Sequence, residues 1–135
     1  MQDIVIHTDR ALSGPQLASI FARAGLNRRT QDAGLMQKMA DTADLLITAW
    51  DGDKLVGVAR SLSDFCAVCY LADLAVDRDY QQRGIGAALT ERTRGMNSPA
   101  TLLLLLAAPS AMNYYPKIGF AAVDNGWIIR PPQPQ

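Results

Sequence analysis

Histidine is nearly absent, cysteine is scarce and neither sign of charge is in excess: the chain of 135 residues holds 1 His, 2 Cys, and 13 basic against 13 acidic side chains. The charge balance leaves no cationic surplus for gripping a phosphate backbone, so nucleic acid is not an expected partner. Long apolar runs are also missing. The only extended one, Thr101 to Ala108, is far too short to cross a bilayer, and no membrane span is expected. Met1-Gln2-Asp3 lacks the basic head and apolar body of a secretory leader, so the expectation is a cytoplasmic protein. Two thiols, Cys66 and Cys69, and the distant His7 are too few donors for zinc, and no metal is expected. The Cys-x-x-Cys lies in a run, Phe65 to Leu71, that reads as a strand. Residues three apart on a strand point to opposite faces, so the pair reads as small buried residues rather than a disulfide. His7, alone near a chain end, reads as structural.

What is present suits one folded domain. Nearly half the residues are apolar, and the length gives a core of useful size. Residues 1–130 are expected to form that domain, with the proline-rich 131–135 as a loose tail. Asp3 to His7 reads as a strand. Ser13 is placed to cap a helix bearing Leu17, Ile20, Phe21 and Ala24 at helical spacing. Thr30 is the expected cap of a second helix, with Ala33, Leu35, Met36 and Met39 apolar. Leu45 to Trp50 and Lys54 to Ser61 read as a hairpin turning at Asp51-Gly52-Asp53. A third antiparallel strand ends at Val76. Thr101 to Ala107 lacks alternation, as for a strand covered on both faces. Ala111 to Ile118 reads as a short helix, with closing strands at Phe120 to Val123 and Trp127 to Ile129.

The stretch Leu71 to Leu89 organises the rest. An apolar strand ends at Val76, a polar turn runs from Asp77 to Tyr80, and Gln81-Gln82-Arg83-Gly84-Ile85-Gly86 leads into a helix. Glycines at that point let backbone approach a ligand closely. A helix start offers unpaired N–H groups and partial positive charge, which suit a phosphate. The stretch is not a P-loop, having no Gly-Lys-Ser/Thr. It is not the dinucleotide fingerprint either, because Leu89 stands where the third glycine belongs.

Gln-x-x-Gly-x-Gly after a strand resembles the acetyl-CoA pyrophosphate loop of the GNAT acetyltransferase family. A second block, Ala111-Met112-Asn113-Tyr114-Tyr115-Pro116-Lys117-Ile118-Gly119-Phe120, is similar to the family's Ala-x-x-Phe-Tyr-x-Lys-x-Gly-Phe segment. The order of elements matches across nearly the whole chain. The resemblance implies an α/β (α+β) fold with a mixed, mostly antiparallel sheet splayed at its central strands and flanked by helices. It implies acetyl-CoA as co-substrate. Leu74, Ala75 and Val76 would form the cofactor-binding end of the strand, with backbone groups of Leu74 and Val76 pairing with the pantetheine arm. Gln82, Arg83, Gly84, Ile85, Gly86 and Ala87 would hold the pyrophosphate, with Gln81 bracing the loop. Many relatives carry Asn or Asp where this chain has Ala108; Ser110 and Asn113 are the polar residues nearby.

The implied reaction is acetyl transfer to a primary amine of a small molecule. Tyr115 would protonate the leaving thiolate. Asp73 is the best acidic candidate for deprotonating the amine, with ordered water as the alternative; the face it takes depends on whether a bulge interrupts the strand. Ser63 to Val76 is also similar to the plastid and cyanobacterial arylalkylamine acetyltransferases. Two other classes stay open: a protein or peptide N-acetyltransferase, and a non-catalytic acyl-CoA-binding module. By analogy with relatives a homodimer through the C-terminal strands is expected.

Overall fold

The computed structural model describes residues 3–132. A five-stranded sheet has the order β1-β2-β3-β4-β5, with β1 Ile4–His7, β2 Leu45–Asp51, β3 Lys54–Ser63, β4 Val68–Val76 and β5 Leu102–Leu104. The first four strands are mutually antiparallel and β5 runs parallel to β4. Helix α1, Gly14–Ala24, and α2, Ala33–Thr42, fill the loop between β1 and β2, while α3, Ile85–Gly95, crosses from β4 to β5. The sheet is thus mixed and mostly antiparallel, as the sequence implies.

Each face has its own core. Leu17, Ile20 and Phe21 of α1 and Met36 of α2 pack with Trp50, Val58 and Ala75. On the other face Ile85 and Leu89 of α3 pack with Ile47, Val56, Ala59 and Leu71. Full burial of a side chain of this size is worth roughly 1.5–3 kcal/mol, so these faces hold both helical layers on the sheet. Local signals fix the start of α1: Ser13 Oγ accepts the Gln16 N–H at 3.2 Å, and Gln16 Oε1 accepts the Ser13 N–H at 2.9 Å.

The decisive irregularity is in β4. Arg60 pairs with Asp73, but Ser61 pairs with Leu71, so Ala72 is an extra residue. Pairing of β4 with β5 spans only Val68↔Leu102 to Tyr70↔Leu104 and stops just before that bulge. From Ala72 to Val76 the edge of β4 is open, which is the expected splay. The Asp77 N–H bonds to Val56 O on β3 at 2.9 Å. By antiparallel alternation the backbone of Leu74 and Val76 therefore turns away from β3, into the gap.

Several expectations are corrected. Asp32, not Thr30, caps α2, because its carboxylate reaches the Leu35 N–H at 3.0 Å. Cys66 is exposed and lies off the strand, in a turn held by Asp64; only Cys69 is buried, and both are free. The leucine run is not covered on both faces. β5 is the last strand of the sheet, and Leu102 is 57 % exposed. Ala111 to Ile118 folds as separate 3-10 turns, Pro109–Ala111 and Tyr115–Ile118, rather than one helix. The closing strands do not form: 120–132 carries no regular structure, and Trp127 and Ile129 are each 98 % exposed. Strand-like sequence becomes strand only when a sheet edge pairs with it, and an isolated hairpin is marginal in water. Of the tail expected to be loose, residues 133–135 lie outside the described residues, and Pro131 and Pro132 have no regular structure.

Candidate active site

The loop after β4 is anchored before it reaches the glycines. Asp77 caps the 3-10 turn Arg78–Tyr80, its Oδ1 accepting the Asp79 N–H at 2.9 Å and its Oδ2 meeting Arg23 Nη1 at 2.6 Å. Burial pushes the Asp77 carboxyl up, but the Asp79 N–H and the Arg23 guanidinium outweigh it and hold the group below its ordinary value. Tyr80 is buried and donates to Asp51. Arg83 lies over the Tyr80 ring at 4.9 Å and donates to Asp79 O at 3.0 Å. Gln81 braces the loop as expected, Nε2 donating to Val76 O at 2.9 Å. The Val76 carbonyl is therefore engaged by Gln81, while its N–H is left free to donate to a ligand.

Gln82 and Gly84 both take left-handed backbone, at φ 64° and φ 82°. Gln82 does so against the preference of a side-chain-bearing residue. At Gly84 a Cβ would meet nothing within 4 Å, so the torsion, not space, calls for glycine there. Gly86 is different: a Cβ would lie 2.6 Å from the Tyr114 hydroxyl oxygen. The first intrahelical bond of α3 runs from the Ala88 N–H to Gly84 O at 3.0 Å. The N–H groups of Ile85, Gly86 and Ala87 precede it and are left for an outside acceptor. Ile85 is itself buried in the core, so it contributes backbone only.

The structure thus brings Leu74, Val76 and Gln81 to Ala87 to one end of the gap. Ala75 points the other way, into the core under α1. Tyr114, which stands at the Phe position of the Ala-x-x-Phe-Tyr pattern, is the tyrosine whose hydroxyl lies against Gly86 of this loop. Tyr115 packs edge-on against Tyr114 and Phe120, with ring centroids 5.3 and 5.5 Å away. Burial raises the phenol of Tyr115, and Tyr114 beside it raises it further, so it keeps its proton at neutral pH. Burial raises Tyr114 likewise. Ser110 and Asn113 are exposed and make no side-chain hydrogen bond among the described residues.

Asp73 does not stand free. The Ala72 bulge turns it to the α1–α2 face, where its carboxylate takes Arg60 Nε at 2.6 Å and Arg28 Nε at 2.7 Å. An ion-paired carboxylate that is 3 % exposed is poorly placed to take a proton from a substrate ammonium, and the expectation of Asp73 as base is corrected on that ground. Arg28 and Arg60 went unnoticed in the sequence. One signal was there: Arg60 falls two residues after Val58, on an inward face of β3, where a charge needs a counter-charge.

Comparison with known proteins agrees with this layout. The profile of the acetyltransferase (GNAT) domain matches residues 15–127. The chain belongs to the GNAT acetyltransferase family. A curated relative, the chloroplastic GCN5-related N-acetyltransferase 2 of Arabidopsis thaliana, is 33 % identical over 75 residues, covering 54 % of this chain and 29 % of that protein. The chain therefore spans under a third of that relative's length. A GNAT-family acetyltransferase of Streptococcus pneumoniae superposes with a TM-score of 0.76 at 21 % identity, covering 96 % of this chain and all of the other (100 %). An aminoglycoside acetyltransferase from an uncultured soil metagenomic sample does so with a TM-score of 0.70 at 20 % identity, covering 97 % of each chain. At those identities the superpositions establish the GNAT fold. No helix among the described residues is long and apolar enough to cross a membrane.

Proposed function

We propose that this GNAT domain transfers an acetyl group from acetyl-CoA to a primary amine of a small molecule. The observation that carries the reading is the open edge of β4 from Ala72 to Val76, with the N–H groups of Ile85 to Ala87 at its end. A linear ligand with an amide arm and a pyrophosphate fits that pairing. Leu74 and the Val76 N–H would bond the arm as a neighbouring strand would, and Gln82 to Ala87 would hold the phosphates.

In the transfer, the neutral amine attacks the thioester carbon, the C–S bond breaks, and the sulfur leaves with the electron pair. Tyr115 is our candidate to give that sulfur a proton. The ammonium first loses one proton to ordered water, since Asp73 is occupied by Arg28 and Arg60, and the second proton, shed by the nitrogen once it is bonded to the acetyl carbon, returns through water to the Tyr115 phenolate. A protonated phenol beside the loop favours a transferase over a non-catalytic acyl-CoA module, and a panel of small amines against a lysine peptide, read by CoA thiol release, decides between a small-molecule and a protein acceptor.

The test is thermal stabilisation by acetyl-CoA. At a concentration of 100 times Kd a ligand adds about 2.7 kcal/mol, enough to raise Tm by several degrees. Gly84→Val places a β-branched residue at φ 82° and should remove that rise while circular dichroism still reports a folded chain. An undiminished rise in the variant, or none in the wild type at millimolar acetyl-CoA, overturns the site. The same reading includes a homodimer, supported by the exposed Val123, Trp127, Ile128 and Ile129. A monomeric mass by light scattering at high concentration removes it.

A further inference from the structure

We propose that the acceptor amine carries a carboxylate, held by the guanidinium groups of Arg60 and Arg28. This rests on the acetyl-transfer reading above and names the substrate class for that site.

Arg60 is 9 % exposed. Its Nε is taken by Asp73 Oδ2 at 2.6 Å, and its terminal nitrogens have no hydrogen-bond partner among the described residues. A guanidinium has five N–H donors, so about four are left facing an acceptor the protein does not supply. None of these nitrogens is both buried and without a partner, so they reach solvent and stand open to an incoming acceptor. Arg28 comes in from the α1–α2 connection, with Nε on Asp73 Oδ1 at 2.7 Å, Nη1 on Asn27 O at 2.8 Å and Nη2 towards Ala72 O at 3.4 Å, so its second Nη N–H groups are what it has left to offer. Its side chain is 34 % exposed. No other carboxylate among the described residues lies within 4.0 Å of either arginine.

The charge count sets the ligand. Arg28 and Arg60 share the single negative charge of Asp73, which leaves one positive charge uncompensated. One carboxylate balances it, and the planar fork of donors matches a carboxylate's paired oxygens. The placement also fits. Ala72, which Arg28 reaches, is the bulge residue where β4 parts from β5, and Leu74, two residues on, faces the gap. An amine approaching from the α1–α2 face would meet the guanidiniums beside the transfer point. The class of substrate is an amino acid or another small amine bearing a carboxylate.

The experiment uses matched amines with and without the carboxylate: tryptophan against tryptamine, and γ-aminobutyrate against butylamine. CoA thiol release gives kcat/KM for each with acetyl-CoA. The acid-bearing member of at least one pair should be favoured by about 10-fold or more, and Arg28→Gln should shrink that ratio by roughly 10–100-fold, the scale of a charge-assisted hydrogen bond. The within-pair ratio cancels any general loss of folded enzyme. Preference for the uncharged member in both pairs, or an unchanged ratio in Arg28→Gln, overturns the proposal and leaves acetyl transfer standing. Absence of thiol release from every amine, with no stabilisation by acetyl-CoA, instead sinks the transfer reading. The anion site is then decided by melting curves with γ-aminobutyrate: a rise in wild type but not in Arg28→Gln supports it, and equal responses overturn it.

Discussion

Replacing Asp73 by Asn is expected to destabilise the fold by about 3 kcal/mol or more and to lower Tm by on the order of 10 °C. Asp73 is 3 % exposed and joins Arg60, 9 % exposed, to Arg28. Removing its charge strands the Arg60 guanidinium inside the sheet–helix interface, with only a neutral amide beside it. Arg28, a third exposed, can swing into water, so most of the loss comes from Arg60. The double variant Asp73→Leu with Arg60→Met should regain much of the stability, because apolar side chains of similar size avoid the desolvation of both charges. Differential scanning calorimetry on the three proteins checks this. A catalytic base would behave otherwise: Asp73→Asn would melt near the wild-type temperature and lose turnover. That outcome would return Asp73 to the mechanism.

The same residue shows where the sequence stops being legible. The end of its strand at Val76, the turn after it and the glycines at the start of α3 are written in local patterns, and each formed where those patterns put it. So are the Ser13 helix cap and the Asp-Gly hairpin. The direction of Asp73 is set by Ala72, a single extra residue with no signature of its own. Its partners stand 13 and 45 positions away, a pairing that exists only once the sheet and the α1–α2 connection have assembled. The contact of Tyr114 with Gly86 is of the same kind: the glycine was readable, but not the group that needs its missing Cβ. The leucine run and the C-terminal segment failed for another reason. Composition reports how apolar a strand is, while burial depends on what lies next to it. Here β5 ends the sheet after three paired positions.

Tyr115→Phe is expected to lower turnover roughly 10²–10⁴-fold, the usual scale for loss of a positioned general acid. The substitution is mild for the fold. Tyr115 is half-buried and its hydroxyl makes no hydrogen bond among the described residues, so the ring contacts with Tyr114 and Phe120 survive. What goes is a proton donor whose pKa burial and Tyr114 hold above the ordinary phenol value, which keeps it loaded at neutral pH. Acetyl-CoA affinity should change much less than rate, because the donor matters most when the sulfur carries charge. Tyr114→Phe separates the roles. Its hydroxyl rests on Gly86 at the start of α3, so its loss should show in acetyl-CoA binding before it shows in the chemical step. Single-turnover thiol release and acetyl-CoA titration on both variants make the comparison. If Tyr115→Phe turns over at the wild-type rate while Tyr114→Phe loses the chemical step, the acid is Tyr114, the phenol that the fold already sets against the loop.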